Sequence, residues 1–420
     1  MPSEVILTNC SIARSSAFLV HTISKEMAVK KTHIAFFGVP HPAHANATFP
    51  IVSALIRRGY RITYVTSEQF SPNIQRLGAE VVVCKRWTLP ESEREPSFAA
   101  HPRLHVPNWD TLCSMNTRIL KEVESHYEKD RPDAIIYDLV AFAGRILAHR
   151  WNLPAIQISP HCALDQENIE SQVRNDDLRE HLLERGENAA QFFERHGISG
   201  GNWLFHREGL NIYSIPRVFQ PDGAALLDGR CYFAGRCAAE RPADDDWQKT
   251  HRDGRPIALI TGSRTYFRDS DYFRMCLAAL SGLHWHIVLV TGDRSEPTSS
   301  RLPHAEVVQY VSNIKVLPHA SLLICQGGNM STTEAGYYGV PVIAATFGFA
   351  ELEWCAETSI VRLGLGTHLN AKRINENSIR RAAIQISEDA EMRHNVDRVS
   401  RLIQGDPGAE EVASKIGFYL

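Results

Sequence analysis

The feature that most limits the fold is a series of short apolar runs that alternates with helical segments and occurs twice. The first series lies between residues 33 and 159, the second between residues 255 and 346. The runs are almost continuously apolar, which is typical of strands buried on both faces of a parallel sheet. The pattern therefore predicts two doubly wound α/β domains with a ligand cleft at the strand ends. The predicted strands are 33–39, 61–66, 80–84, 133–138, 154–159, 255–261, 286–292, 306–310, 321–326 and 340–346.

The segment between the two series divides the chain. Residues 213–254 are rich in proline, glycine and charge, which favours a linker. We therefore predict an extension at 1–30, with Met27 as an alternative start, a first domain at 31–212 and a second domain at 255–420 that ends in a helix. A length of 420 residues also exceeds that of one ordinary core.

Composition excludes several classes of protein. The net charge of −3 suggests no nucleic-acid partner. The nine cysteines lack metal-binding spacing, and an odd number suits a reducing compartment. No apolar run reaches the ~18 residues of a membrane span, and the extension lacks the pattern of a secretory signal. We expect a cytoplasmic protein.

A glycine-rich junction, "CQGGNMSTTE", follows the predicted strand 321–326. Gly327 and Gly328 permit close approach of a ligand to the backbone, and the N–H groups at a helix start attract phosphate. Ser331 and Thr332 could cap the helix or donate to an anion. An ordinary strand-to-helix turn has the same pattern, so this junction alone leaves both interpretations open.

A second polar turn, "GSRT", follows the strand 255–261. Ser263 could donate to an anion, and Arg264 carries a charge suited to phosphate, although a solvated loop arginine is an equally simple interpretation. Both turns follow strands that should end at the cleft. Their joint occurrence favours a diphosphate site.

The turn after the first strand contains a candidate base. His44 precedes a predicted helix, and its imidazole titrates near neutrality, which suits removal of a proton from a hydroxyl group. Asp138 ends a strand of the same predicted sheet and could orient the ring. The alternatives are a helix-capping histidine and an aspartate that accepts from loop N–H groups. His41 is the rival base.

Taken together, these stretches resemble the GT-B glycosyltransferases of family 1, and especially the bacterial macrolide-type enzymes that transfer sugars from UDP- or TDP-sugars to small hydrophobic acceptors. The resemblance runs from about His33 to the C-terminus and includes "HANATFPIVSALIRRGYRITYVTSEQF", "RPDAIIYDLVAFAGRILAHRWNLPAI", "NIYSIPRVFQ" and "GVPVI". It implies a GT-B fold of two Rossmann-like domains. It also implies His44 as catalytic base and Asp138 as its partner.

The resemblance assigns roles in donor binding as well. Tyr310 falls where the family's tryptophan stacks on uracil, and Asn313 falls where a glutamine contacts the base. Glu334 matches the acidic residue that often holds the ribose. Glu351 or Glu353 lies near the acidic residue and glutamine that bind sugar hydroxyls. The phosphate-binding turn is matched by Gly327, Gly328, Ser331 and Thr332.

The departures from the family pattern concentrate in the donor pocket. Gln326 replaces the histidine that contacts the diphosphate, and "YVSN" and "FAELEW" replace the usual motifs. A neutral amide still donates one hydrogen bond, and a hydrogen bond to a charged group contributes ~1.5–3 kcal/mol. Arg264 could supply the missing charge. The sequence therefore predicts an altered site that still binds a diphosphate.

These features favour an inverting glycosyltransferase that needs neither a metal ion nor a cofactor besides the nucleotide-sugar donor. Its predicted partners are a nucleotide sugar and a small acceptor bound by "HVPNWD" and the segment 161–210, with a homodimer left open. The alternative is a non-catalytic GT-B protein that supports a partner enzyme. A nucleotide-sugar epimerase is a third and weaker interpretation.

Overall fold

The computed structural model describes most of the chain beyond the N-terminal extension. The described residues are 31–87, 109–174, 176–200, 203–223, 228–241, 247–248, 254–262, 271–292, 304–346, 350–370 and 372–420.

The first sheet has seven strands among the described residues, and all of its pairs are parallel. The spatial order is β3-β2-β1-β4-β5-β6-β7. The strands are β1 (His33–Phe37), β2 (Arg61–Thr66), β3 (Glu80–Val83), β4 (Ala134–Asp138), β5 (Ala155–Ser159), β6 (Leu210–Tyr213) and β7 (Cys231–Phe233).

The second sheet has six strands among the described residues, again all parallel. Its order, β10-β9-β8-β11-β12-β13, repeats the order of the first six strands of the first sheet. The strands are β8 (Ile257–Thr261), β9 (His286–Val290), β10 (Ala305–Val308), β11 (Ala320–Cys325), β12 (Val342–Ala345) and β13 (Gly366–Leu369).

Helices cover both sheets. Those of the first half are α1 (Pro42–Arg57), α2 (Ser71–Arg76), α3 (Trp109–Lys129), α4 (Phe142–Trp151), α5 (Gln166–Gln172) and α6 (Asp176–Glu194). Those of the second half are α7 (Asp271–Leu280), α8 (Asn313–Val316), α9 (Asn329–Tyr337), α10 (Ala350–Cys355), α11 (Glu376–Glu388), α12 (Ala390–Gln404) and α13 (Ala409–Tyr419).

The structure confirms the predicted fold of two doubly wound parallel sheets. Strand order reverses between β1 and β4 in the first sheet and between β8 and β11 in the second. Doubly wound folds bind ligands at the carboxyl ends of the strands that flank such a reversal. The polar turns selected from the sequence follow β1, β8 and β11, and Asp138 ends β4. The fold therefore places the candidate residues where a ligand site is expected.

The interpretation of residues 213–254 as a linker is wrong for part of this segment. The strand β7 lies within it and pairs with β6 at the edge of the first sheet. Three residues are too few to show a periodic pattern, so tertiary pairing decides the structure here. Two other short strands, β6 and β13, also escaped prediction, and each has only four residues.

The C-terminal helix packs against the first domain, although the sequence assigned it to the second. In α13, Val412, Ala413 and Ile416 are buried in the same apolar cluster as Ile34 of β1. The carboxylate of Glu410 in this helix also forms ion pairs with Arg57, the last residue of α1, and with Arg58 next to it. The chain therefore returns to the first domain after it has completed the second, and this contact ties the two together.

This return contact predicts a stability effect that differs between neighbouring residues. Ile416 is fully buried against the first domain, whereas Phe418 is 89% exposed. We expect Ile416→Ala to lower the free energy of unfolding by about 2–5 kcal/mol, because a buried side chain leaves a cavity. Phe418→Ala should change it by less than about 0.5 kcal/mol. Urea unfolding followed by circular dichroism measures both, and equal effects would show that α13 is not docked as described.

Candidate active site

His44 and Asp138 meet at the strand reversal of the first sheet. His44 lies in the first turn of α1, just after β1, and Asp138 is the last residue of the neighbouring strand β4. Nδ1 of His44 and Oδ2 of Asp138 are 2.8 Å apart. The other carboxylate oxygen accepts a hydrogen bond from the N–H of Val140 at 3.1 Å. The structure thus brings together the two residues that the sequence selected as a base and its partner.

Burial and hydrogen bonding determine what this pair can do. The side chain of Asp138 is 1% exposed and that of His44 is 14% exposed. Because a carboxylate can only accept, the contact places a proton on Nδ1 of the neutral ring and leaves the lone pair on Nε2. The same carboxylate would stabilise the imidazolium once it forms. The pair can therefore remove a proton from a hydroxyl group placed at Nε2.

Two further histidines lie beside His44. The ring centroids of His41 and His161 are 5.8 and 5.4 Å from that of His44. His41 caps α1, and its Nδ1 accepts a hydrogen bond from the N–H of Ala43 at 3.3 Å. Desolvation, followed by the neighbouring imidazoles, lowers the pKa of His41 to about 4. His41 is exposed and its Nδ1 is engaged in the helix cap, whereas Nδ1 of His44 is held by a carboxylate, so the structure favours His44 over this rival.

His161 is a site residue that the sequence analysis did not single out. It follows β5 with one residue between, and β5 is the neighbour of β4. The rule that selected His44, a polar side chain just after a parallel strand, also applies to this position. The sequence placed it only within the segment expected to bind the acceptor.

The glycine turn of the second domain has the backbone that the sequence predicted. Gly327 has a φ of +77°, and a Cβ added there would lie 3.0 Å from the Cβ of Ala344. Gly328 is the N-cap of α9, a helix of nine residues. Both the backbone conformation and the packing therefore require glycine at position 327. The turn brings the start of α9 to the carboxyl end of β11, where its N–H groups can bind an anion.

The polar side chains of this turn differ in their access to a ligand. Ser331 is partly exposed in the first turn of α9, whereas Thr332 is completely buried. Gln326 is buried at the end of β11. Because Thr332 does not reach the surface here, its contact with a phosphate stays a prediction. Ser331 is the hydroxyl donor that a phosphate could reach.

The structure describes only one of three further residues predicted to contact the nucleobase of the donor or its diphosphate. Tyr310 is 48% exposed just after β10, as an aromatic platform for a base would be. Ser263 and Arg264 lie outside the described residues, so their predicted contacts with a diphosphate stay predictions.

Glu334 and Asn313 contact each other and a buried arginine. Arg241 donates to Oε1 of Glu334 from Nε at 3.0 Å and from Nη2 at 2.9 Å. Its Nη1 donates to Oγ of Ser312 at 2.8 Å. Asn313 donates from Nδ2 to Oε2 of Glu334 at 2.9 Å. The carboxylate assigned to the ribose is thus buried and paired within the protein, and its contact with a ribose stays a prediction.

Arg241 is another residue that sequence reasoning missed. It belongs to the segment predicted as a linker, where an arginine is ordinarily solvated. Glu334 was the signal in the sequence that could have pointed to Arg241. A carboxylate that lies among small and apolar residues in a helix needs a buried partner.

The loop expected to hold the sugar lies around β12 and α10. Glu351 belongs to α10, but its side chain lies outside the described part. Oε1 of Glu353 is 3.5 Å from the Thr346 hydroxyl, which also lies 2.9 Å from Nε2 of His368. Glu353 therefore belongs to a polar group at the end of β12, close to the predicted sugar site.

The described residues also bear on two other features, metal sites and membrane-spanning helices. No group of three or more His, Cys, Asp or Glu side chains in this part of the chain is arranged to hold a metal ion. No helix found there combines the length and the apolar character that crossing a bilayer requires.

Known proteins resemble this chain over nearly its whole length. A family model described as the C-terminal domain of erythromycin biosynthesis protein CIII-like proteins matches residues 274–417. The NDP-glycosyltransferase YjiC of Bacillus subtilis (strain 168) is 29% identical over 398 residues, which cover 93% of this chain and 98% of that protein. The demethyllactenocin mycarosyltransferase of Streptomyces fradiae is 28% identical over 412 residues, or 93% and 87% of the two chains.

A solved structure agrees with these relatives. The calicheamicin glycosyltransferase CalG4 superposes with a TM-score of 0.76 at 27% identity and covers 93% of this chain and 99% of its own. Sequence and fold therefore agree over nearly the whole length of the protein. The chain is a glycosyltransferase with the GT-B fold, it resembles the family 1 enzymes of the macrolide type, and it transfers a sugar from a nucleotide sugar.

Proposed function

We propose that this enzyme inverts the anomeric carbon of its donor, with His44 as general base and a hydroxyl group of a small molecule as acceptor. The observation that carries the proposal is the 2.8 Å contact between Nδ1 of His44 and Oδ2 of Asp138. This contact fixes the tautomer that a base requires. It also provides the charge that stabilises the ring after it has taken the proton.

The proposed base and the proposed diphosphate site belong to different domains, and this arrangement supports inversion. The base belongs to the first sheet, whereas the glycine turn suited to a diphosphate belongs to the second. A sugar held between them would meet the activated acceptor oxygen on one face and lose its diphosphate from the other. The new C–O bond then forms as the bond to the diphosphate oxygen breaks, and the hydroxyl proton goes to Nε2 of His44.

The leaving diphosphate would be stabilised without a metal ion. The N–H groups at the start of α9 carry the positive end of the helix dipole, and Ser331 adds a hydroxyl donor. Gln326 contributes an amide where the related enzymes have a histidine, so one positive charge is lost. Arg264 is the residue that we propose to replace it.

The acceptor would bind to the first domain, beside His44. His161 contacts the His44 ring and begins the segment that continues into α5 and α6. One relative is the demethyllactenocin mycarosyltransferase, and another, 24% identical over 398 residues, is the oleandomycin glycosyltransferase of Streptomyces antibioticus. We therefore propose an acceptor from natural-product biosynthesis or detoxification. A purely non-catalytic partner protein has no need of a buried carboxylate aligned on a histidine, which favours the enzyme.

The two histidines of α1 should differ sharply in their effect on turnover. His44→Ala should reduce the rate of transfer to a hydroxyl acceptor by about 10²–10⁴-fold, the usual contribution of a general base, with donor binding little changed. His41→Ala is the matched control and should stay within about threefold of wild type, since its low pKa makes it a poor base. Steady-state kinetics with one donor compares them, and the reverse order of effects would make His41 the base.

Asp138→Asn should slow catalysis while the fold is kept. The amide is isosteric with the carboxylate, but it cannot stabilise the imidazolium, and it can hold the ring in the wrong tautomer; a loss of about 10²–10⁴-fold in kcat follows. Circular dichroism should show an unchanged melting transition within a few degrees. An unfolded variant would show that Asp138 is structural and would remove the dyad from the mechanism.

Substitution of Gly327 in the glycine turn should lower the affinity for nucleotides, and the same substitution at Gly282 is the control. Gly327→Ala puts a Cβ against Ala344, whereas Gly282, with a similar φ of +75°, has no atom within 4 Å of its Cβ position. Both substitutions strain the backbone by about 1–2 kcal/mol. Only Gly327→Ala should weaken UDP or TDP binding, by about tenfold or more, because only that turn is proposed to hold the diphosphate. Calorimetric titration that finds equal affinities for the two variants would contradict the site.

A further inference from the structure

Asn116 is a buried polar residue with no part in the mechanism described so far. It lies in α3 and is 0% exposed. Its side chain contacts the turn of residues 139–141, which joins β4 to α4 and begins directly after Asp138. Burial of an amide is unfavourable unless its polar atoms are hydrogen-bonded. The partners of this amide therefore indicate what Asn116 does.

The hydrogen bonds of Asn116 hold the turn on both of its sides. Its Nδ2 donates to the carbonyl oxygen of Val140 at 3.1 Å and to that of Leu112, one turn earlier in α3, at 3.0 Å. Its Oδ1 accepts a hydrogen bond from the N–H of Ala143 at 3.1 Å. Both amide protons and one oxygen lone pair are thus engaged. A carboxylate or an apolar side chain of this size cannot offer the same set.

The contact with Ala143 also caps α4. Ala143 is the second residue of this helix, and the N-cap residue, Ala141, makes no side-chain hydrogen bond to it. The N–H groups in the first turn of a helix have no partner within the helix itself. Asn116 therefore supplies from α3 a cap for α4, and it fixes where α4 begins relative to Asp138.

The turn held in this way makes one of the two contacts that orient Asp138. The N–H of Val140 donates to Oδ1 of Asp138 at 3.1 Å, and Oδ2 lies 2.8 Å from Nδ1 of His44. The carbonyl oxygen of the same Val140 is the group that Asn116 holds. A continuous series of hydrogen-bonded groups thus leads from Asn116 through Val140 and Asp138 to His44.

We propose that Asn116 is a positioning residue for the reaction, which acts through Val140 to hold the Asp138 carboxylate in line with His44. Its complete burial leaves it no surface for contact with a substrate. Without this amide the turn can shift, the N–H of Val140 can leave Oδ1, and the carboxylate can rotate away from the ring. The inference rests on the proposed function, because it takes His44 and Asp138 as the base and its partner.

The test compares two buried asparagines that bridge backbone segments. Asn211, near the start of β6, is 1% exposed. Its Nδ2 donates to the carbonyl oxygens of Glu208 and Arg230 at 2.9 and 3.3 Å, and its Oδ1 accepts from the N–H of Glu208 at 3.0 Å. The contacts are of the same kind but lie at the opposite edge of the sheet. Asn116→Ala and Asn211→Ala should therefore lower the melting temperature by a similar few degrees.

Only Asn116→Ala should slow catalysis. We expect its kcat for release of glucose from UDP- or TDP-α-glucose, with water as acceptor, to fall about 10–100-fold, since displacement of a catalytic group by about 1 Å can cost about 10²-fold. The KM for the donor and the affinity for UDP should stay within about threefold of wild type, because the glycine turn belongs to the other domain. Asn211→Ala should stay within about threefold in all three quantities. Equal losses of kcat in the two variants, or a loss of UDP affinity in Asn116→Ala, would overturn the inference.

A double-mutant cycle with Asp138→Asn separates positioning from general damage. In the Asp138→Asn background, Asn116→Ala should lower kcat by less than about threefold, because the carboxylate that Asn116 positions is already absent. The full loss in both backgrounds would show that Asn116 does not act through Asp138. Asn116→Ser replaces the alanine variant if that protein does not fold, since a hydroxyl can satisfy one of the backbone partners, and the same coupling is expected.

Failure of the proposed function has a different signature. If Asp138→Asn turns over as fast as wild type, His44 and Asp138 are not the catalytic pair and the inference falls with them. A slow Asp138→Asn variant beside an Asn116→Ala variant with the kcat of wild type would leave the proposed function in place and overturn the inference alone.

Discussion

Both sheets are parallel and buried on their two faces, and this constraint decides where the protein can hold a ligand. Along β1, β4, β8 and β11 the side chains serve the core, so polar groups can meet a substrate only beyond the strand ends. The strand order reverses between these neighbours in each domain. His44, Asp138 and the glycine turn all lie at those reversals, and the proposed chemistry depends on that placement.

A second constraint is that every buried charge needs a partner. The carboxylate of Asp138 is paired with His44 and also accepts a hydrogen bond from the N–H of Val140, and these contacts align the base. Glu334 meets this constraint with Arg241. The same physical requirement thus aligns the proposed base in one domain and holds a buried ion pair in the other.

Much of the fold followed from the sequence because most of the parallel strands are short, almost continuously apolar runs with helical segments and turn residues between them. The apolar runs predicted most of the strands and the doubly wound fold class. The polar residues at the ends of those runs predicted the contact between His44 and Asp138. The strands β6, β7 and β13 were not predicted, since β7 has only three residues and polar residues or glycine interrupt β6 and β13; pairing with their neighbours stabilises them. Arg241 and the docking of α13 on the first domain depend on tertiary contacts between distant segments, which no local pattern shows.

The central claim is that an aligned base drives an inverting displacement on a nucleotide sugar without a metal ion. The most direct measurement is proton NMR of the hexose first released when water replaces the acceptor, with UDP- or TDP-α-glucose as donor and EDTA present. The account predicts that β-glucose appears first and that the α anomer accumulates only by later mutarotation. Initial release of α-glucose, or release that stops when EDTA is added, would contradict it.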